Sequence, residues 1–250
     1  MTAKLAINVE GLAYAYPSGP LALAGIDLRV PEGESVALVG PNGAGKTTLF
    51  LCLSGVLRPA RGRVEVGGLD IRDPAQRRYI PTKVGIVFQN SDDQLFNPTV
   101  FDDVAFGPLN LGLPADEVRA RVAEALRQVG LEGFEERVPF HLAGGEKRRV
   151  ALAGVLAMRP EVLLLDEPSL YLDPRGRREL IERINHLGTT KVIAAHDLEF
   201  ILATCTRAVL LDRGQIIADG PVRRVLADRA LMEEHGLEVP HSLTHPHAHF

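Results

Sequence analysis

Residues 40–48 read Gly40-Pro41-Asn42-Gly43-Ala44-Gly45-Lys46-Thr47-Thr48. From Gly40 to Thr47 the spacing is that of a phosphate-binding loop, G-x-x-x-x-G-K-[ST]. An apolar run, Ser35 to Val39, precedes it as a buried strand, and an amphipathic run, Thr48 to Gly55, follows as a helix. Glycines at 43 and 45 let the backbone wrap a polyphosphate with its N–H groups turned inward. A helix starting near Gly45 adds free donors and the positive end of its dipole. Lys46 brings a mobile cation to the β and γ phosphates, and the Thr47 hydroxyl is placed to ligate Mg²⁺. The stretch therefore predicts binding of a nucleoside triphosphate.

The remainder of the chain bounds what that binding serves. At 250 residues and 46% hydrophobic content, it can bury a large core. A formal net charge of -4 gives no general drive toward nucleic acid or an anionic membrane. The two cysteines, Cys52 and Cys205, lie in apolar helical contexts and read as core fillers in a reducing compartment. No run approaches the roughly 18 apolar residues of a membrane span, so the expected place is cytosolic, with membrane contact made through a partner.

Working outward, Leu5 to Tyr14 and Ile26 to Val30 read as strands of an antiparallel lobe, joined through the Pro17-Ser18-Gly19 turn. Tyr14 and Tyr16 stand beside that turn; either can stack on a purine or pack across strands, and packing suits Tyr14 better. Gly62 to Val66 and Val84 to Phe88 are further strands. The polar loop from Gln89 to Pro98 carries two apolar residues, Leu95 and Phe96, which either fold back on the core or form a docking site. Helices follow over Val100 to Leu109 and Ala115 to Val129, the second opened by Pro114 and closed by Gly130. Gly144 and Gly145 open another helix within Leu142 to Met158, whose free N–H groups make a second anion site. Its basic run, Lys147 to Arg149, reads as a solvated face.

The apolar strand Val162 to Leu165 ends in Asp166 and Glu167, at the strand edge where α/β sheets bind ligands. Asp166 suits Mg²⁺ held through water, and Glu167 suits polarising an attacking water. The strand Lys191 to Ala195 ends in His196, placed to bond a γ phosphate, and Asp197, placed to cap a helix over Leu198 to Thr204. After a helix over Pro221 to Leu226, the last sixteen residues hold five of the eight histidines: His235, His241, His245, His247 and His249. A flexible histidine-rich end suits Ni²⁺, Co²⁺, Cu²⁺ or Zn²⁺, or is a passive polar tail.

Taken in order, GPNGAGKTT, the Gln89 loop, LAGGE, VLLLDEP and His196 resemble the nucleotide-binding subunit of ATP-binding cassette (ABC) transporters over about residues 5–220. The resemblance implies a P-loop ATPase fold of α/β class: a RecA-like core, an antiparallel β subdomain and an α-helical signature subdomain at about 98–158. This places the ATPase domain at 1–220 and a helical segment with the histidine tail at 221–250. It further implies ATP and Mg²⁺ held by Asn42, Gly43, Ala44, Gly45, Lys46, Thr47 and Thr48, with Tyr16 against adenine and Thr47, Gln89 and Asp166 at the metal. Glu167, His196 and Gln89 become the catalytic set. The signature Leu142-Ala143-Gly144-Gly145-Glu146 and the loop at Asp173 belong, in that family, to the ATP of an opposed cassette, so the working unit is a homodimer or a heterodimer with a related ATPase.

Two segments, Phe88 to Pro114 and Lys147 to Leu180, resemble the energy-coupling factor group of importers, closest to cobalt and nickel members. The resemblance implies integral membrane partners, one of them for substrate capture, docking near Leu95 and Phe96, and a peripheral place on the cytoplasmic face of the membrane. A vitamin importer would carry the same motifs. A soluble cassette ATPase acting on DNA or ribosomes is the other class considered, but the long insertions and basic patches of such proteins are missing. The signature departs from the usual Leu-Ser-Gly-Gly-Gln at Ala143 and Glu146; loss of the hydroxyl removes one hydrogen bond to the opposite phosphate.

Overall fold

The computed structural model describes residues 4–17 and 19–244. The chain runs through β1 (Leu5–Ala15), β2 (Leu21–Pro31), β3 (Ser35–Val39), α1 (Lys46–Leu53), β4 (Arg61–Val66), β5 (Leu69–Asp70), α2 (Pro74–Arg77) and β6 (Val84–Val87). A helical block follows: α3 (Val100–Asn110), α4 (Ala115–Val129) and α5 (Gly144–Leu156). Then come β7 (Val162–Asp166), α6 (Pro174–His186), β8 (Thr190–Ala194), α7 (Leu198–Thr204), β9 (Arg207–Asp212) and β10 (Gln215–Pro221). Three short helices, α8 (Val222–Ala227), α9 (Arg229–Glu234) and α10 (His241–Thr244), close the described chain.

Two sheets divide the strands. One is antiparallel in the order β2-β1-β4-β5; the other runs β10-β9-β3-β8-β7-β6, parallel except for β10. All five residues of β7 and of β8 are buried, which is why β7, and β8 from Val192 to Ala194, run apolar without alternation. Successive residues of β3 face opposite cores: Ala37 and Val39 join α3 to α8, while Val36 and Leu38 join α1 and the antiparallel sheet. The larger sheet is thus the shared wall of two cores. Its strand order sets the ends of β3, β8 and β7 side by side, so Gly40, His196 and the Asp166-Glu167 pair leave the sheet at one edge.

Several boundaries differ from the sequence reading. β2 starts at Leu21 rather than Ile26, because a bulge at Gly25, φ 84°, shifts the alternation by one residue and brings Leu23 into the same core as Ile26, Leu28 and Val30. α1 starts at Lys46 rather than Thr48, because Gly45, at φ 110°, ends the loop just before it. Gly130, at φ 64°, closes α4 where glycine was read as its stop. The carboxyl end is tied to the fold as far as Thr244. His235 Nδ1 lies 2.9 Å from Asp212 Oδ2, and Leu237, Val239 and Leu243 pack against the core. Ser242 donates its N–H and hydroxyl to Glu199 at 2.9 and 2.7 Å. His245, His247 and His249 lie outside the described residues, as does Ser18 of the expected turn. No helix among the described residues is long and apolar enough to cross a membrane.

Candidate functional site

The phosphate loop opens on a cleft of about 480 Å³ that collects Tyr16, residues 42–48, Gln89, Asp166, Glu167 and His196. Its shape depends on close backbone approach. A Cβ on Gly45 would stand 2.7 Å from the Ala22 carbonyl oxygen, and one on Gly40 only 2.0 Å from that of Leu211. The loop is therefore wedged between β2 and β9. Lys46 is buried, and its ammonium donates to the carbonyls of Gly40 and Pro41 at 2.6 and 3.0 Å. Burial lowers its pKa, against the pull of Glu167 and Asp166. Thr47 Oγ1 donates to Asp166 Oδ2 at 3.0 Å. Tyr16, 44% exposed, brings its hydroxyl to 3.3 Å from that of Thr48 and meets Tyr14 edge-on at 5.1 Å. Tyr14 is the packing member of the pair, set against the core under the antiparallel sheet.

Both carboxylates at the end of β7 are buried, and burial pushes both pKa values up. Glu167 Oε2 accepts the His196 N–H at 3.2 Å, while Oε1 is buried and has no hydrogen-bond partner. The His196 Nε2 atom is 3.7 Å from that oxygen and 2.9 Å from Asn42 Oδ1, so the ring bridges the carboxylate and the loop. Glu167 also has left-handed backbone, φ 49°, a conformation costing a non-glycine residue on the order of 1 kcal/mol. The Thr47 hydroxyl, the Asp166 carboxylate bonded to it and Gln89 in the same cleft form an all-oxygen donor set of the kind Mg²⁺ takes, while the orphaned Glu167 oxygen is left for a water. Asp197 caps α7 by accepting from Phe200 N at 2.9 Å, and Arg177 grips it with two bonds of 2.6 and 3.0 Å.

The signature residues are not brought to this cleft. Ala143, Gly144, Gly145, Glu146 and Asp173 line another, of about 680 Å³, beside Tyr171, which is 88% exposed with φ 62°. Within this chain their polar groups serve local ends. Glu146 Oε2 accepts the Ala143 N–H at 2.9 Å, half of a capping box whose other half Ala143 cannot supply. Asp173 accepts from Gly176 N at 2.6 Å and caps α6. The Leu142 side chain is buried in the helical core, so it anchors the turn.

Two readings left open at the sequence level separate here. Leu95 packs on the core, while Phe96 is 63% exposed and meets Phe106 edge-on at 5.0 Å. Asp103 fixes the loop between them, taking N–H bonds from Phe96 and Asn97 at 3.1 and 3.0 Å. The expectation of a solvated face over 147–149 is corrected: Arg148 is buried and donates to the backbone carbonyls of Glu167 and Gln89. The signal for it was in the neighbouring residues. Val150 to Ala153 are four successive buried apolar positions, the mark of a helix enclosed on every side. Both cysteines are buried and unpaired, and burial pushes each thiol up to about 12. Among the described residues, no group of three His, Cys, Asp or Glu side chains is placed to hold a metal ion.

Comparison with known proteins gives concordant results. The family described as ABC transporter matches residues 23–170. The chain is 49% identical over 239 residues to the energy-coupling factor transporter ATP-binding protein EcfA of Methanothermobacter thermautotrophicus, covering 94% of this chain and 76% of that one. Among solved structures, CbiO1 of Clostridium perfringens, described as part of the ABC transporter complex cbiONQ, superposes with a TM-score of 0.82 at 38% identity, over 92% and 94% of the two chains. The ATP-binding cassette MJ0796, solved as a dimer bound to ADP and Pi, superposes with a TM-score of 0.77 at 26% identity, over 86% and 98%.

Proposed function

The chain belongs to the ABC transporter family as an ATP-hydrolysing subunit of the energy-coupling factor type, and on that premise we propose that it drives the import of cobalt or nickel ions. The observation that carries the ATPase chemistry is the meeting of Lys46, Asp166, Glu167 and His196 in the cleft over the phosphate loop. Lys46 leaves the Gly40 and Pro41 carbonyls to neutralise the β and γ phosphates, and Tyr16 stacks on adenine. Thr47, Asp166 and Gln89 would hold Mg²⁺, which when bound neutralises charge on the phosphate oxygens. The unpartnered Glu167 Oε1 accepts the hydrogen bond of a water in line with the γ phosphorus. As the water oxygen bonds to phosphorus and the bond to the bridging oxygen of ADP breaks, Glu167 takes up the proton. His196, tied to Asn42, orders the γ phosphate.

The signature cleft is supported as half of a composite site. It lies in a cleft apart from that of the loop, as an opposed pair of cassettes would need, and MJ0796 was solved as a dimer. Phe96 and Phe106 offer an exposed aromatic pair, the kind of surface that meets a membrane subunit. The chain then sits peripherally at the membrane. Metal ions are favoured over vitamins by the match of Phe88 to Pro114 and by the histidines after 240.

The test is uptake of labelled Co²⁺ and Ni²⁺ at trace concentration in cells with the chain, without it, or with Lys46→Ala. Uptake requiring both the chain and Lys46 is the expected result. Unchanged uptake in cells that make the protein would overturn the metal assignment and point to a vitamin.

A further inference from the structure

Arg148 is 6% exposed and makes no ion pair among the described residues, an arrangement that leaves a buried cation to be satisfied by neutral groups. Those groups are not incidental. Nη1 donates to the carbonyl of Glu167, and Nη2 donates to the carbonyl of Gln89 at 2.6 Å. The Glu167 N–H is meanwhile bound to the Ala194 carbonyl at 2.8 Å, so a residue with strained backbone is gripped from β8 on one side and from α5 on the other. Lys147 clamps the Gln89 loop a second time, through Asp92 Oδ1 at 2.8 Å. One helix thus holds both the frame of the water-polarising carboxylate and the start of the loop that exposes Phe96.

That helix begins at Gly144, little more than one turn before Arg148. We propose that Arg148 is a positioning residue that relays engagement of this chain's signature by the opposed cassette's nucleotide to this chain's own Glu167 and Gln89. The inference rests on the composite-site reading above. A phosphate drawn onto the amino end of α5 shifts the helix as a rigid rod, and the forked guanidinium carries the shift into two carbonyls at once. The two ATP sites are then linked through one side chain of each cassette. Lysine cannot reproduce the link, because an ammonium is a point donor without the planar fork.

The experiment compares the wild type with Arg148→Lys and Arg148→Gln in steady-state ATP hydrolysis. We expect kcat to fall about tenfold or more with KM within about twofold, since the phosphate loop and Tyr16 are untouched. The Hill coefficient for ATP should fall from a value approaching about 2, the limit for two coupled sites, toward unity. ATP-dependent pairing is measured in parallel by gel filtration in a Glu167→Gln background. Pairing retained with kcat and cooperativity both unchanged would overturn the relay. So would a fall in kcat or melting temperature with cooperativity intact, which is the signature of a merely structural residue. If Glu167→Gln alone shows no ATP-dependent pairing, with itself or with a related cassette from the same cells, the composite-site reading fails and the relay fails with it.

Discussion

Glu167 is asked to stay charged in a place that resists charge. Its Oε1 is buried without a partner, and burial raises its pKa, so the folded chain holds a proton there more tightly than the unfolded chain does. The sign follows: near neutral pH the charged form costs stability, and the cost fades as pH falls and the carboxyl protonates. Glu167→Gln should therefore melt higher than the wild type near neutral pH, with the gap closing toward acid, while turnover drops on the order of 10²- to 10⁴-fold. Thermal melts across pH and an ATPase assay check both; a variant that melts lower at neutral pH would deny the burial cost. The residues of this site were readable to different degrees. Lys46, Asp166 and His196 announce themselves because a strand end or a glycine turn tells where each must sit. Arg148 does not, since Lys-Arg-Arg on a helix has the same local pattern whether it faces water or the core.

Among elements, α5 and β6 illustrate how close the helical block lies to the sheet. A Cβ on Gly85 of β6 would fall 2.1 Å from Val155 Cγ1 of α5. Gly85→Ala should cost about 1 to 3 kcal/mol by overpacking. Val155→Ala in the same chain should recover much of that loss, because it removes the atom met. A double-mutant cycle by denaturant unfolding measures the coupling, and additive losses would show that the helix simply moves away. Elements with punctuation were legible, as in α4 between Pro114 and Gly130. β10 was not, because a half-exposed antiparallel edge strand with few apolar residues is hard to set apart from a loop, whereas β9 carries a buried apolar run, Ala208 to Leu211, like that of β7. α6 is polar over most of its turns but carries a legible stripe, with Leu180 and Ile184 buried and Ile181 and Leu187 packed beside them.

At the scale of the whole molecule, fold class followed from motif order, but the seam between the two sheets depends on backbone contacts no pattern records. The Ala24 N–H bonds the Gly214 carbonyl at 2.8 Å, and a Cβ on Gly214 would strike the Ala22 carbonyl oxygen at 2.6 Å. That same oxygen stands against Gly45, so β2, the turn between β9 and β10, and the phosphate loop are one joint. A nucleotide seated on the loop therefore pins both layers, and neither can breathe without disturbing the ligand. In its absence the layers should open at their own rates; with it they should open together, slowed by the free energy of binding. Amide hydrogen exchange would read this as two families of rates, one for each layer, converging to a single slow family at saturating ATP in the Glu167→Gln chain. Exchange that slows only around residues 40–48 would show instead that the joint transmits nothing.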